Sequence, residues 1–441
     1  MIKKQNLISI KKLKGDKKVF NKKSLLLLTL VVLFVGVFAL SSSAETIKMI
    51  SMKQAGWTPE EYDQIIAEFK ENNPGVDVEL TLVGYDALHD KLITSISGAN
   101  PAYDVILVDD IWYAQFAEAG WLLDVTDRVS DDMTQDVYDK AWEIVGYNDS
   151  LYGLPWLLDL EYFFYNEEML NEAGIENPPT TWEEVVEQSK ILKEQGIVEY
   201  PMVWSWAQIE ALICDWVTLL KGNNGEFFDE NNKPAFNNAE GVETLTWMKN
   251  TLDNELTNPA SLSANEEEVR RIFSQGNAAF AINWVYMYEL LNNPDESNIV
   301  GQTELALMPV FEDAKAEGIE SASITGSMGF SVTKNSPNKD LAYELIEFMT
   351  SKDIQTRYAD HVTPMYKSVM NQEEIIEMHP ETFKMFDKQF PFIYSRPKVP
   401  YYTEVSRTLQ TSIQNALVGN VSPQEALDNA AEEVEKIQER W

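Results

Sequence analysis

The feature that most constrains the fold lies between residues 46 and 108, where short apolar runs alternate with amphipathic helical segments. Ile47, Met49, Ile50 and Met52 make residues 46–52 a run of the length of a buried strand. Thr58-Pro59-Glu60-Glu61 then combines an N-cap, a first-turn proline and a capping box. Tyr62, Ile65, Ile66 and Phe69 follow at helical spacing and form one buried face, and Asn72-Asn73-Pro74-Gly75 stops the helix. Val76, Val78, Leu80 and Leu82 alternate with polar residues as a second strand. A helix carrying Leu88, Leu92 and Ile96 leads to a third strand over residues 105–108. This β-α-β-α-β order with short connections predicts a parallel sheet covered by helices.

The same grammar recurs downstream. Thr181-Trp182-Glu183-Glu184 opens a helix with a second capping box, and Gly196 ends it. Ser336-Pro337 is expected to cap a helix with Leu341, Leu345, Ile346 and Met349 on its apolar face, and Ser422-Pro423-Gln424-Glu425 to cap the last one. At 441 residues the chain exceeds one ordinary core, which predicts two lobes.

The amino-terminal segment reads as an address. Residues 1–23 carry nine lysines against one acid, Asp16, and residues 24–44 are uncharged and mostly apolar, closing on Ser42-Ser43-Ala44. A basic region, an apolar region and a small-residue exit describe a secretory signal cleaved near Ala44, with an uncleaved anchor as the alternative. No cysteine stands near the cleavage point, so the protein is expected in the periplasm or extracytoplasmic space without a lipid anchor. Of the whole chain, 71 residues are acidic and 35 are Lys or Arg, a net charge of −36, and removing residues 1–44 makes the remainder more negative still. Such a surface repels nucleic acid and anionic membranes and favours a neutral or cationic ligand. The single cysteine, Cys214, permits no internal disulfide. His89, His361 and His379 lack ligand spacing, so a histidine-based metal site is not expected; no cofactor is expected either.

Several stretches in a fixed order resemble the bacterial extracellular solute-binding proteins that feed carbohydrate ABC importers, the maltose-binding-protein-like group. They are AEFKENNPGVDVEL (67–80), DVILVDDIWYAQFAEAGWLLDVTD (104–127), LYGLPWLLDLEYFFYNEEML (151–170), TWEEVVEQSKIL (181–192) and FSQGNAAFAINW (273–284). LALMP (305–309), SVTKNSPNKDLAYELIEFMTSKDIQ (331–355), RPKVPYYTEV (396–405) and ALVGNVSPQEALDNAAEEVEKI (416–437) complete the set. The resemblance implies an α/β, two-lobe periplasmic-binding-protein-like fold, each lobe a mainly parallel sheet flanked by helices, with several chain crossings at the hinge. It implies a signal peptide at 1–44, an N-terminal lobe from 45–154 and 309–366, and a C-terminal lobe from 155–308 and 367–441. Ligand is expected in the cleft, and closure around it presents a surface to a membrane permease.

Ligands of open α/β sheets bind beyond the carboxyl ends of strands. Asp109, Asp110 and Trp112 follow the third strand directly, and Gln54 and Trp57 follow the first. Asp109 is expected to hold sugar hydroxyls through charge-assisted hydrogen bonds, Asp110 to serve the helix start, and Trp112 to stack. In relatives, LPWLLDLEYFFYN looks like the first crossing between lobes, which brings Trp156, Asp159, Glu161 and Tyr162 toward ligand; many relatives carry a basic residue where Glu161 stands. Trp204 and Trp206, at alternate positions of VWSWAQIE, suggest a stacking platform. Trp284 closes INW, where relatives often place a ring, although the glycine common before it is missing. Gly326 and Ser327 would let backbone amides approach ligand. Arg396 is a candidate hydroxyl donor, and Tyr401 a further ring.

No G-x-S-x-G, H-E-x-x-H, P-loop or G-x-G-x-x-G pattern occurs, so the reading is a non-enzymatic receptor; a monomer is expected. It is expected to capture a mono- or oligosaccharide and deliver it to the permease subunits of an ABC importer. The alternatives are a secreted glycoside hydrolase, using Asp109 or Asp110 with Asp159 or Glu161 as its acid pair, and a sugar receptor for signalling.

Overall fold

The computed structural model describes residues 45–53, 56–360 and 362–441. The expected signal segment, Gln54 and His361 lie outside them. Nine strands build two sheets. In chain order they are β1 (Glu45–Met52), β2 (Val76–Val83), β3 (Val105–Asp109), β4 (Leu154–Leu157), β5 (Glu161–Asn166), β6 (Met202–Val203), β7 (Phe280–Trp284), β8 (Thr303–Ala306) and β9 (Met328–Val332). The first sheet has the order β2-β1-β3-β9-β4 and the second β8-β5-β7-β6.

The local signals translate directly into elements. The helix Pro59–Asn72 begins at N-cap Thr58 with its capping box formed and buries Tyr62, Ile65, Ile66 and Phe69. Each such side chain contributes about 1.5–3 kcal/mol on burial, more than the roughly 1 kcal/mol of a cap. Burial therefore decides that the helix forms, and the cap decides where it starts. The helix Trp182–Glu194 repeats the device from Thr181. Ser336 departs from expectation. Its hydroxyl donates to Asp104 at 2.6 Å, and the helix Lys339–Met349 has Asn338, two residues later, as its N-cap.

Strand directions are mixed. β1 and β3 pair in parallel, as do β6 and β7, whereas β9 runs antiparallel to both β3 and β4, and β5 runs antiparallel to β7 and β8. The reason is the hinge. β1 and β3 run toward the cleft, but β9 enters its sheet from the cleft side after a crossing and so must run away from it. Three crossings lie side by side and are stitched together. Gly326 N donates to the Asp159 carbonyl at 3.1 Å, Thr325 N to the Tyr394 carbonyl at 3.0 Å, and the Ser323 hydroxyl to the Glu161 carbonyl at 2.7 Å. Ser323–Ile324 and Ile393–Tyr394 pair there as a short parallel ribbon.

Each sheet has its own helical cover. Lys339–Met349 packs against β9 and the helix Pro59–Asn72, and Arg357 reaches back to both carboxylate oxygens of Glu68 at 2.7 and 3.1 Å. On the other lobe, the helices Glu210–Gly222, Ala239–Asp253, Tyr402–Leu417 and Pro423–Gln438 pack on one another. The chain thus visits each lobe twice.

Candidate functional site

A cavity of about 360 Å³ opens where the strand ends of both sheets meet the hinge. Met52, Asp109 and Leu157 bring to it the carboxyl ends of β1, β3 and β4. Met328 stands in register between Asp109 and Leu157. The opposite wall comes from Trp284 at the end of β7 and from the starts of two helices, at Glu210 and Glu266. Asp159, Gly326 and Arg396 come from the three crossings. The volume falls in the range of about 300–1,000 Å³ usual for small-molecule sites.

Arg396 organises the charges. Its guanidinium is 2% exposed and donates to Asp110 Oδ1 at 3.0 Å and to Glu210 Oε1 at 2.8 Å, with Asp109 Oδ1 at 3.6 Å. Glu210 also accepts from the Tyr402 and Ser406 hydroxyls at 2.6 and 2.5 Å. Asp109 accepts from Tyr85 Oη at 2.8 Å and from Ile111 N at 3.3 Å. Burial pushes the Asp109 carboxyl well above the usual carboxylate range, and neighbouring Asp110 adds to the push. One cation thus bridges acids from both lobes, as buried charge demands.

Asp109 keeps its expected place on the cavity wall and takes the capping role expected of Asp110 as well, through Ile111 N. Asp110 is the ion-pair partner and leaves the wall to Asp109. Trp112 is buried behind Tyr85, stacked on it at 5.6 Å and 21°, and faces a separate recess beside Gln208 and Arg407.

Four expected rings are core instead. Trp57 and Trp156 pack edge to face at 5.1 Å under Phe330. Gly56, at φ +72°, is what allows this, since a Cβ there would stand 2.3 Å from the Trp156 ring. Trp204 and Trp206 stack on each other at 5.8 Å and 17°, with Trp204 Nε1 donating to Thr257 at 3.1 Å. They fill the second lobe against Trp182 and Trp247 rather than forming a platform. Tyr401 also stands off the cavity, its hydroxyl accepting from Gln438 and its ring near Trp441. Tyr162 is buried and lines an adjoining recess of about 260 Å³ with Tyr286 and Phe383.

On the hinge side, Trp284 reaches the cavity while Glu161, its register partner, is buried and accepts from the Thr218 hydroxyl at 2.6 Å. Burial drives the Glu161 carboxyl up to about 8. Asp159 does line the cavity, and burial raises it to about 7 against backbone hydrogen bonds from Leu160 and Val285 that favour the anion. The Ser327 hydroxyl is engaged with Thr325 and the Asp159 backbone, and the Gly326 amide with the Asp159 carbonyl. Neither donor is left for a ligand. Glycine is needed at 326 for another reason, because a Cβ would meet the Trp284 ring at 2.4 Å.

Glu210, Tyr85, Glu266 and Tyr286 also line the cavity, with no expectation from the sequence. Glu210 closes the VWSWAQIE stretch, and an acid in the first turn of a helix just past a strand was its signal. Among the described residues no group of three or more His, Cys, Asp or Glu is placed to hold a metal ion, and no helix is long and apolar enough to cross a membrane.

Two α/β lobes, three adjacent crossings and a cavity at the strand ends define a cleft-type ligand receptor. The sequence matches the family described as "Bacterial extracellular solute-binding protein" over residues 55–356, and the chain belongs to that family. Among solved structures, maltose-bound MalE3 of T. maritima is 28% identical with a TM-score of 0.82, covering 89% of this chain and 100% of that one. An ABC transporter solute-binding protein from Thermotoga lettingae bound with α-D-tagatose is 27% identical, with a TM-score of 0.79 over 89% and 99% of the two chains. One from Agrobacterium radiobacter K84 in complex with ribitol is 25% identical, with a TM-score of 0.78 over 90% and 99%.

Proposed function

We propose that the protein captures a sugar or polyol in the interlobe cavity and delivers it to the permease of an ABC importer. The observation that carries this reading is the lining itself, where the Trp284 ring shares one cavity with hydrogen-bonding groups of both lobes and the crossings, Asp109, Tyr85, Asp159, Glu210 and Arg396. An aromatic face covers the C–H side of a sugar while carboxylates and a guanidinium take its hydroxyls. Structures at least 25% identical to this chain hold maltose, tagatose and ribitol. The protein acts as an extracytoplasmic monomer without catalysis, with the first lobe drawn from 45–154 and 309–366 and the second from 155–308 and 367–441. Of the expected contacts, Asp109, Asp159, Trp284 and Arg396 carry the binding.

A thermal-shift screen of the purified protein against monosaccharides, oligosaccharides, polyols, amino acids and polyamines tests the reading. Ligand at a hundred times its Kd adds about 2.7 kcal/mol to stability, so a sugar or polyol should raise Tm by several degrees and leave the screen chemically unchanged. Stabilisation by amino acids or polyamines alone, or hydrolysis of an added oligosaccharide, would overturn it.

A further inference from the structure

The charges on the cavity wall are unbalanced. Asp109, Asp159, Glu210, Glu266 and Glu267 line it, and Arg396 is the one basic side chain among the described lining residues. Most of these acids have partners. Glu210 has Arg396, Asp109 has the Tyr85 hydroxyl, and Glu267 holds Arg270 and Arg271 at 2.7 and 3.0 Å. Asp159 differs. Its carboxylate accepts from the backbone N–H groups of Leu160 and Val285, and no basic side chain among the described residues pairs with it. It is half-buried, and its neighbourhood is aromatic. Its carbonyl binds the Gly326 amide, Gly326 lies against the Trp284 ring, and Val285, which donates to its carboxylate, follows Trp284 directly.

A closing cleft takes such a carboxylate out of water, which is costly unless it gains a proton or a cation. An ammonium group beside Trp284 would supply the cation and gain from the ring face as well. A second group waits on the same wall. Arg396 is buried, and its Nε has no partner in the protein, which suits a hydroxyl or ring oxygen as acceptor. A ligand carboxylate or phosphate, by contrast, would find the one guanidinium already engaged by Asp110 and Glu210.

We propose that the cleft takes a sugar carrying a protonated amino group, with the Asp159 carboxylate as the ammonium's partner beside the Trp284 ring. The inference rests on the sugar-binding reading and narrows it. It also makes binding proton-linked. In the empty protein Asp159 holds a proton up to about pH 7, and the ammonium replaces it. The charged and titratable groups around Asp159 are Glu161 and Tyr162 on its own run, Tyr286 after β7, Glu266 on the facing wall and Arg396. Glu161 is held neutral at pH 6 by its own burial.

Matched probes test this by calorimetry at pH 6: glucosamine, N-acetylglucosamine and glucose, and the β-1,4-linked dimer of each, with free lysine as a non-sugar amine. The amine-bearing sugar should bind at least tenfold tighter than its N-acetyl and neutral counterparts. Its binding heat should differ between buffers of different ionisation enthalpy, which reports release of a proton. Asp159→Asn should bring the three sugars within about twofold and abolish the proton release, and the wild-type buffer dependence carries the test should that variant not fold. Equal or tighter binding of glucose or N-acetylglucosamine forms overturns the amine inference and leaves the sugar reading standing. Binding of none of these sugars overturns the amine inference alone, whereas binding of lysine alone overturns both.

Discussion

Arg396 and Asp110 face each other at 3.0 Å, 2% and 4% exposed, across a sequence separation of 286 residues. A pair this deeply buried gains its attraction only while both members are present. Removing one leaves the other charged without water, and such changes cost about 3–5 kcal/mol. Arg396→Met should therefore lower the urea midpoint strongly, since Asp110 and Glu210 both lose their cation. Asp110→Asn keeps the shape and removes one charge, so its cost should be clearly smaller. Equal, small losses for both would show that the guanidinium is not the organising charge. Chemical denaturation followed by circular dichroism measures this.

Trp284 and Gly326 share one space on the cavity wall. Trp284→Ala should weaken sugar binding at least tenfold with little effect on Tm, because the ring is only partly buried. Gly326→Ala should weaken it similarly, since the new Cβ would stand 2.4 Å from the ring and must push it aside. Trp204→Ala is the contrast. That ring is packed among Trp182, Trp206 and Trp247, so its loss should cost about 3–5 kcal/mol of stability. Calorimetric titration beside thermal melts separates the two classes, and a binding defect in Trp204→Ala at intact stability would return that ring to the site.

The buried acids give the ligand-free protein a stability that falls as pH rises. Glu161 and Asp159 keep their protons in the folded state to about pH 8 and 7, whereas the unfolded chain loses them near pH 4. The folded state therefore binds more protons between those limits, and stability declines across that window. Surface carboxylates such as Asp77 and Asp124 are held below the usual range by hydrogen bonds, so they titrate below it. Urea midpoints at pH 5, 6.5 and 8 should fall in order, and Glu161→Gln, which can still accept from Thr218, should flatten the slope. A midpoint that rises with pH would contradict the assignment.

What could be read from sequence was whatever local chemistry decides. The capping boxes at Thr58 and Thr181 form because their partners lie three residues away. The apolar face of Pro59–Asn72 follows from spacing alone. Direction in the sheets was less readable, because β9 owes its course to a crossing from the other lobe. The site was harder still. Which of Asp109 and Asp110 meets the ion pair depends on Arg396, and nothing near residue 110 announces it. Trp57, Trp156, Trp204 and Trp206 carry the same side chain as Trp284. Only tertiary packing decides that the first four fill cores and the last reaches the cavity.

The distance along the chain between Arg396 and its acids has a consequence for how the molecule comes into being. A polypeptide that emerges amino end first brings out Asp110 and then Glu210 long before the guanidinium that joins them, 286 and 186 residues later. Contacts of such separation form late, since the intervening loop must first be closed. Both lobes are also finished late, because each takes a share of the chain beyond residue 328. A half-emerged chain therefore holds acids without their partner and a cleft without its third crossing. A chain that stops short of residue 396 lacks both the guanidinium that joins the two acids and part of the cavity lining.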